Sequence, residues 1–150
     1  MSDRRGINEL SFQYLIAICV AGIAIALIGF AGYSMWKDYQ MNEAIKEINR
    51  VISEVKKMYV SSDGVSNKKI KLNLPYGVDK VVFGSSNPDM KNHYYILMRW
   101  GEKRSFYAKN FYFTGENGDV AILYKNTHEI VIELMEKEGD KYVKIIPVGR

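Results

Sequence analysis

The feature that most constrains this chain is a run without charge, from Leu10 to Trp36. Its central twenty residues, Tyr14 to Tyr33, read YLIAICVAGIAIALIGFAGY. As a helix rising about 1.5 Å per residue they cover roughly 30 Å, the thickness of one bilayer hydrocarbon core. A helix lying on a soluble core needs a polar face, and this run has none. Tyr33 and Trp36 close it with rings suited to the headgroup level, and Lys37 follows. Arg4 and Arg5 precede it, a bias that predicts an inside amino terminus and an outside body. The expectation is a single-pass membrane protein with a cytoplasmic N-terminus and an extracytoplasmic head.

Small residues recur within the run. Gly22, Ala26 and Gly29 lie near one helical face, and Gly22 and Ala26 have the small-xxx-small spacing that lets helices approach closely. They are the candidate helix-packing residues. The ordinary abundance of alanine and glycine in membrane helices accounts for them equally well.

The periodicity continues past Trp36. Met41, Ile45, Ile48, Ile52, Val55 and Tyr59 follow at alternating spacings of four and three, broadened by Ala44, Val51 and Met58. Glu43–Lys46, Glu47–Arg50 and Glu54–Lys57 stand off this stripe at pairing distance along a helix. No proline or glycine interrupts Tyr33 to Asp63, so one helix is predicted from about Ile7 to about Val60. The apolar stripe is expected to pack on the protein's own C-terminal part rather than in a coiled coil with other subunits. Ser61–Asn67, SSDGVSN, ends the helix with turn residues.

Beyond Asn67 the period changes to two. Short aromatic and β-branched runs alternate with turn signals: KIKLNLP, VDKVVF, HYYILMRW, KRSFYAKNFYF, DVAILY, HEIVIELM and DKYVKIIPV. Seven strands in an antiparallel sandwich or barrel are predicted. Ten of the 11 tyrosines lie at or beyond Tyr33, in keeping with a sheet-rich second half. The fold class is therefore α+β. A long N-terminal hydrophobic helix continues as an amphipathic helix, packed on a C-terminal antiparallel β-sandwich or β-sheet head.

Several functions are not expected. The net charge of +4 comes from 21 basic and 17 acidic residues, well mixed, which argues against a nucleic-acid surface. Cys19 is the single cysteine and lies inside the apolar run, so neither an intrachain disulfide nor a Cys-x-x-Cys metal pair can form. His93 and His128 read as ordinary strand or surface residues, and no metal or cofactor is expected. No nucleophile elbow, phosphate-binding loop, zinc-protease or dinucleotide motif is present, and an enzyme is not expected.

The leader carries one further signal. MSDRRG stands before INELSFQYLI and the apolar run. This arrangement resembles the class III signal of archaeal type IV pilin-like proteins. The resemblance implies cleavage by a membrane-embedded prepilin peptidase between Gly6 and Ile7, with Arg4 and Arg5 in the part removed. It implies that the apolar helix is retained as a filament-forming element, and that identical or related pilin subunits are partners along with the membrane and the peptidase. The fifth residue after the implied cut is Ser11, where bacterial type IV pilins carry glutamate, and Gln13 stands where some archaeal relatives carry it. Glu9 is then the carboxylate left to pair with a neighbour's new amino terminus. The segments implied are a leader (1–6), a membrane or filament-core helix (7–36), an amphipathic helix (37–60) and an extracytoplasmic β-rich head (61–150). Two functions remain open: a subunit of a surface filament for adhesion or a related role, including a minor subunit, and a non-polymerising, membrane-anchored binding domain.

Overall fold

The computed structural model of the chain describes residues 3–61 and 67–149, with side chains from Asn8 onward. Helix α1 runs from Asp3 to Val60. It begins earlier than the expected Ile7, because nothing from Asp3 to Asn8 breaks a helix except the modest cost of Gly6, about 1 kcal/mol. Eight strands follow: β1 (Asn67–Lys71), β2 (Val78–Phe83), β3 (His93–Met98), β4 (Lys103–Tyr107), β5 (Tyr112–Thr114), β6 (Ala121–Tyr124), β7 (Glu129–Lys137) and β8 (Asp140–Val148). A short 3-10 turn, Pro88–Met90, is capped by the Asn87 side chain in the loop before β3.

The chain forms two compact units, Met1–Asp38 and Tyr39–Arg150. In the second unit the strands make two open four-stranded sheets, ordered β1-β7-β8-β5 and β4-β3-β2-β6, not a closed barrel. The arrangement is α+β, with the helix packed on sheets that are mostly antiparallel. Ile70, Ile130, Ile132, Val143 and Ile145 come from the first sheet, and Val81, Phe83, Ile96, Met98 and Leu123 from the second. The expected helical stripe joins them: Met41, Ala44, Ile48, Val51, Ile52, Val55 and Met58 are buried in the same core, with Ile45 and Tyr59 partly buried against it. Fully burying one such side chain contributes about 1.5–3 kcal/mol, so the stripe is a principal support of the head.

One expectation is corrected. The run KRSFYAKNFYF is two strands, not one, which raises the count from seven to eight. β4 pairs with β3 in the second sheet, whereas β5 pairs with β8 in the first, and that pair is parallel. The crossing at Ala108–Phe111 is held by backbone bonds from Ala108 to Asn92 (2.8 Å) and from Phe113 to Lys91 (2.9 Å). Phe113 then meets Phe83, Tyr94 and Phe111 at ring separations of 5.1, 5.6 and 5.4 Å. This aromatic knot repays the switch of sheets with buried ring area.

The charged tip between β7 and β8 is a two-residue hairpin turn, with Lys137 opposite Asp140. Both its central residues are left-handed, Glu138 at φ 56° and Gly139 at φ 86°, the conformation that matches strand twist.

The three expected helix ion pairs form, at 3.7 Å for Glu43–Lys46, 2.6 Å for Glu47–Arg50 and 2.9 Å for Glu54–Lys57. Two of them also bind the sheet region. Glu47 accepts from the Asn73 backbone N–H at 2.9 Å, and Glu54 pairs with Lys68 at 2.6 Å. Lys68 and Lys57 hold the Glu54 carboxyl at about 2, and Arg50 lowers that of Glu47. Lys69 lowers Glu129 likewise. Carboxyls depressed in the folded state stabilise it above their ordinary value of 4.5, and that contribution is lost as pH falls through the folded values. The melting temperature of the head is therefore expected to fall steadily between pH 4.5 and about 2. Thermal melts followed by circular dichroism check this, and Glu54→Gln should flatten the lowest part of the curve.

Candidate functional site

In the first unit, every described side chain from Asn8 to Trp36 is exposed. Phe12, Ile18, Ile25, Leu27, Ile28 and Phe30 are each more than 60% accessible. Water does not tolerate such a surface without a cover of lipid or other apolar helices. The helix is long and apolar enough to cross a membrane. At its end the rings of Tyr33 and Trp36 stack at 6.0 Å, and the Lys37 ammonium lies 4.5 Å over Tyr33. This aromatic and cationic closure is the chemistry of a membrane–water boundary.

Gly22, Ala26 and Gly29 all lie on exposed helix surface. A methyl group added at Gly22, Gly29 or Gly32 would meet nothing within 4 Å, so this face is open to close approach by another helix. Cys19 is exposed on the same helix, and so is Glu9. The backbones of Arg4, Arg5, Gly6 and Ile7 fall in the first turns of α1, while the side chains at positions 4–7 lie outside the described residues.

The second unit contains a half-open groove of about 530 Å³. Ile52 and Tyr59 of α1, Tyr94 of β3, Tyr107 at the end of β4 and Phe111 of the sheet crossing line it, and Lys56, Lys109 and Lys141 stand around it. The Tyr59 hydroxyl donates to the Tyr142 carbonyl at 3.0 Å, its ring stacks on Phe111 at 6.0 Å, and Lys141 lies 5.1 Å over it. Burial, with a smaller contribution from Glu136, pushes the Tyr59 phenol up to about 12, so it stays protonated. Among the described residues, no carboxylate, histidine or cysteine lines the groove. Its lining offers aromatic surface and three ammonium groups, chemistry suited to apolar contact and anion attraction. Among the described residues no group of three His, Cys, Asp or Glu side chains could hold a metal ion.

Sequence reasoning named the residues of the first unit and missed this groove. Its signal was the Ala108-Lys109-Asn110 step, where two polar residues interrupt an aromatic run.

Comparison with protein-family models, with curated proteins and with solved structures returns no match.

Proposed function

We propose that the chain is a type IV pilin-like subunit, made as a membrane-anchored precursor. In this reading a prepilin peptidase cuts between Gly6 and Ile7, and the retained helix assembles with identical or related subunits into a surface filament. The observation that carries it is an apolar helix with no buried side chain from Asn8 to Trp36, continuing into a segment that is part of a β-rich head. The Arg4-Arg5-Gly6 leader before it supplies the processing signal.

The physical sequence is as follows. The leader charges hold the amino terminus inside, and the apolar run holds the precursor in the bilayer. Cleavage removes Arg4 and Arg5 and frees an amine at Ile7. The helix then exchanges lipid for other apolar helices. That exchange has little hydrophobic driving force, so close packing and the pairing of buried charge must favour it. Gly22, Ala26 and Gly29 would provide the close approach. Glu9, within one turn of Ile7, would provide the carboxylate for a neighbour's amine.

Assembly separates this reading from an anchored monomer. The full chain, expressed with a prepilin peptidase and its assembly machinery, is expected in sheared filaments visible by electron microscopy. Cleaved protein that enters filaments only alongside another pilin identifies a minor subunit. A detergent-dependent monomer under every condition contradicts assembly and favours the membrane-anchored binding domain.

A further inference from the structure

The turn Pro75–Gly77 is fastened to the helix at Gln40. The Gly77 N–H donates to the Gln40 side-chain Oε1 at 3.0 Å. The Val78 N–H closes the turn on the Pro75 carbonyl at 3.1 Å, and the Arg99 N–H donates to the Gly77 carbonyl at 2.9 Å. Trp100 packs against the same glycine so tightly that a methyl group there would lie 2.8 Å from its ring. The turn is therefore rigid, and the residue at its tip, Tyr76, is displayed at 69% exposure.

Two cations share that ring. The Arg99 guanidinium lies 4.1 Å from its centroid and the Lys125 ammonium 5.3 Å. Arg99, through a hydrogen bond and its charge, and then Lys125 lower the Tyr76 phenol from its ordinary value. Among the described residues, neither Arg99 nor Lys125 forms an ion pair with a carboxylate. Glu102 accepts from the Trp100 indole at 3.1 Å and from Arg104 at 3.3 Å. Asp79 is exposed on β2 and pairs with neither cation. Two like charges beside one exposed ring repel each other, and an anion bound beside them offsets that repulsion.

The covalent chain limits where this patch can be. Gln40 follows Trp36 by four residues, so their Cα atoms lie within about 14 Å whatever the angle between span and head. Trp36 and Lys37 mark the end of the apolar run. The patch is thus fastened to the residue by which the head joins the apolar run, and tyrosine and basic side chains are the residues favoured at a headgroup layer.

We propose that Tyr76, Arg99 and Lys125 form a docking patch for anionic lipid headgroups, which holds the head against the membrane surface before the helix leaves the bilayer. This rests on the reading of the apolar run as a membrane span. The guanidinium supplies paired donors to phosphate oxygens, the ammonium a second positive charge, and the phenol ring an interfacial anchor.

The test uses the full chain carrying Trp36→Phe, which leaves Trp100 as its sole tryptophan. It is reconstituted into phosphatidylcholine vesicles with or without phosphatidylglycerol, each containing a headgroup spin-labelled lipid. Trp100 emission is expected to be quenched about twofold more in the anionic vesicles, because attraction to an anionic surface acts over about a Debye length. High salt should remove the difference, as should Arg99→Gln with Lys125→Gln. Equal quenching in both lipids, with the chain floating on both, overturns the patch and leaves the span intact. A chain that floats with neither overturns the span reading and the patch with it. Loss of the difference on adding inorganic phosphate at constant ionic strength would mean a site for free phosphate, which overturns the lipid assignment.

Discussion

Replacing Ile48 by aspartate is expected to unfold the head while the chain remains in the membrane fraction. Ile48 is 1% exposed, at the centre of the helical stripe that enters the core of the second unit. The substitution removes buried apolar area and places a carboxylate where no buried partner exists. Loss of the isoleucine methyls alone costs about 2–5 kcal/mol, and the desolvated charge adds several more. That total is comparable to the whole stability of an ordinary domain, about 5–15 kcal/mol. Loss of near-ultraviolet dichroism and rapid proteolysis of the head would be the readout. The exposed neighbour Asn49, changed to aspartate, should stay within about 0.5 kcal/mol of the original. Retention of Ile48→Asp by membranes follows because Met1–Asp38 is a separate compact unit and holds the apolar run. A folded Ile48→Asp head would contradict the core described above.

The helix was legible residue by residue, because its period is strong and uninterrupted. The alternating fours and threes from Met41 to Tyr59 named the buried face, and the charges off that face paired as their spacing required. Strands β2, β3, β6, β7 and β8 were legible for a similar reason: period-two runs bounded by Gly, Pro, Asn or Asp. The division of KRSFYAKNFYF was not. Aromatic residues continue on both sides of Ala108, no glycine or proline marks the break, and only tertiary pairing with β3 and then β8 separates the halves. The parallel pair and the groove share that origin, since both depend on where the chain crosses between sheets. The Tyr76 patch was hidden for another reason. Tyr76, Arg99 and Lys125 are far apart in sequence, and the pairing of β2 with β3 and β6, with the Arg99–Gly77 backbone bond, brings them to one place.

The second large effect concerns the leader. If the proposed cut is made, Gly6 is the residue before it, where a bulky side chain would obstruct a peptidase working at the membrane surface. Gly6→Val is expected to reduce processing by more than tenfold and to leave the precursor in the membrane at its uncut mass. The head should be unaffected, since the change lies outside the unit Tyr39–Arg150. Near-ultraviolet dichroism matching the unchanged chain would confirm that the loss is one of processing alone. Normal cleavage of Gly6→Val would place the cut elsewhere.

On the proposed reading the chain loses its charged leader and keeps its apolar helix. The intact mass and N-terminal sequence of the mature protein, isolated from cells containing a prepilin peptidase, test this most directly. A chain beginning at Ile7 and retaining everything from Asn8 through the head is expected. A mature protein beginning at Met1 or Ser2, or one from which the apolar helix has been removed, would contradict it.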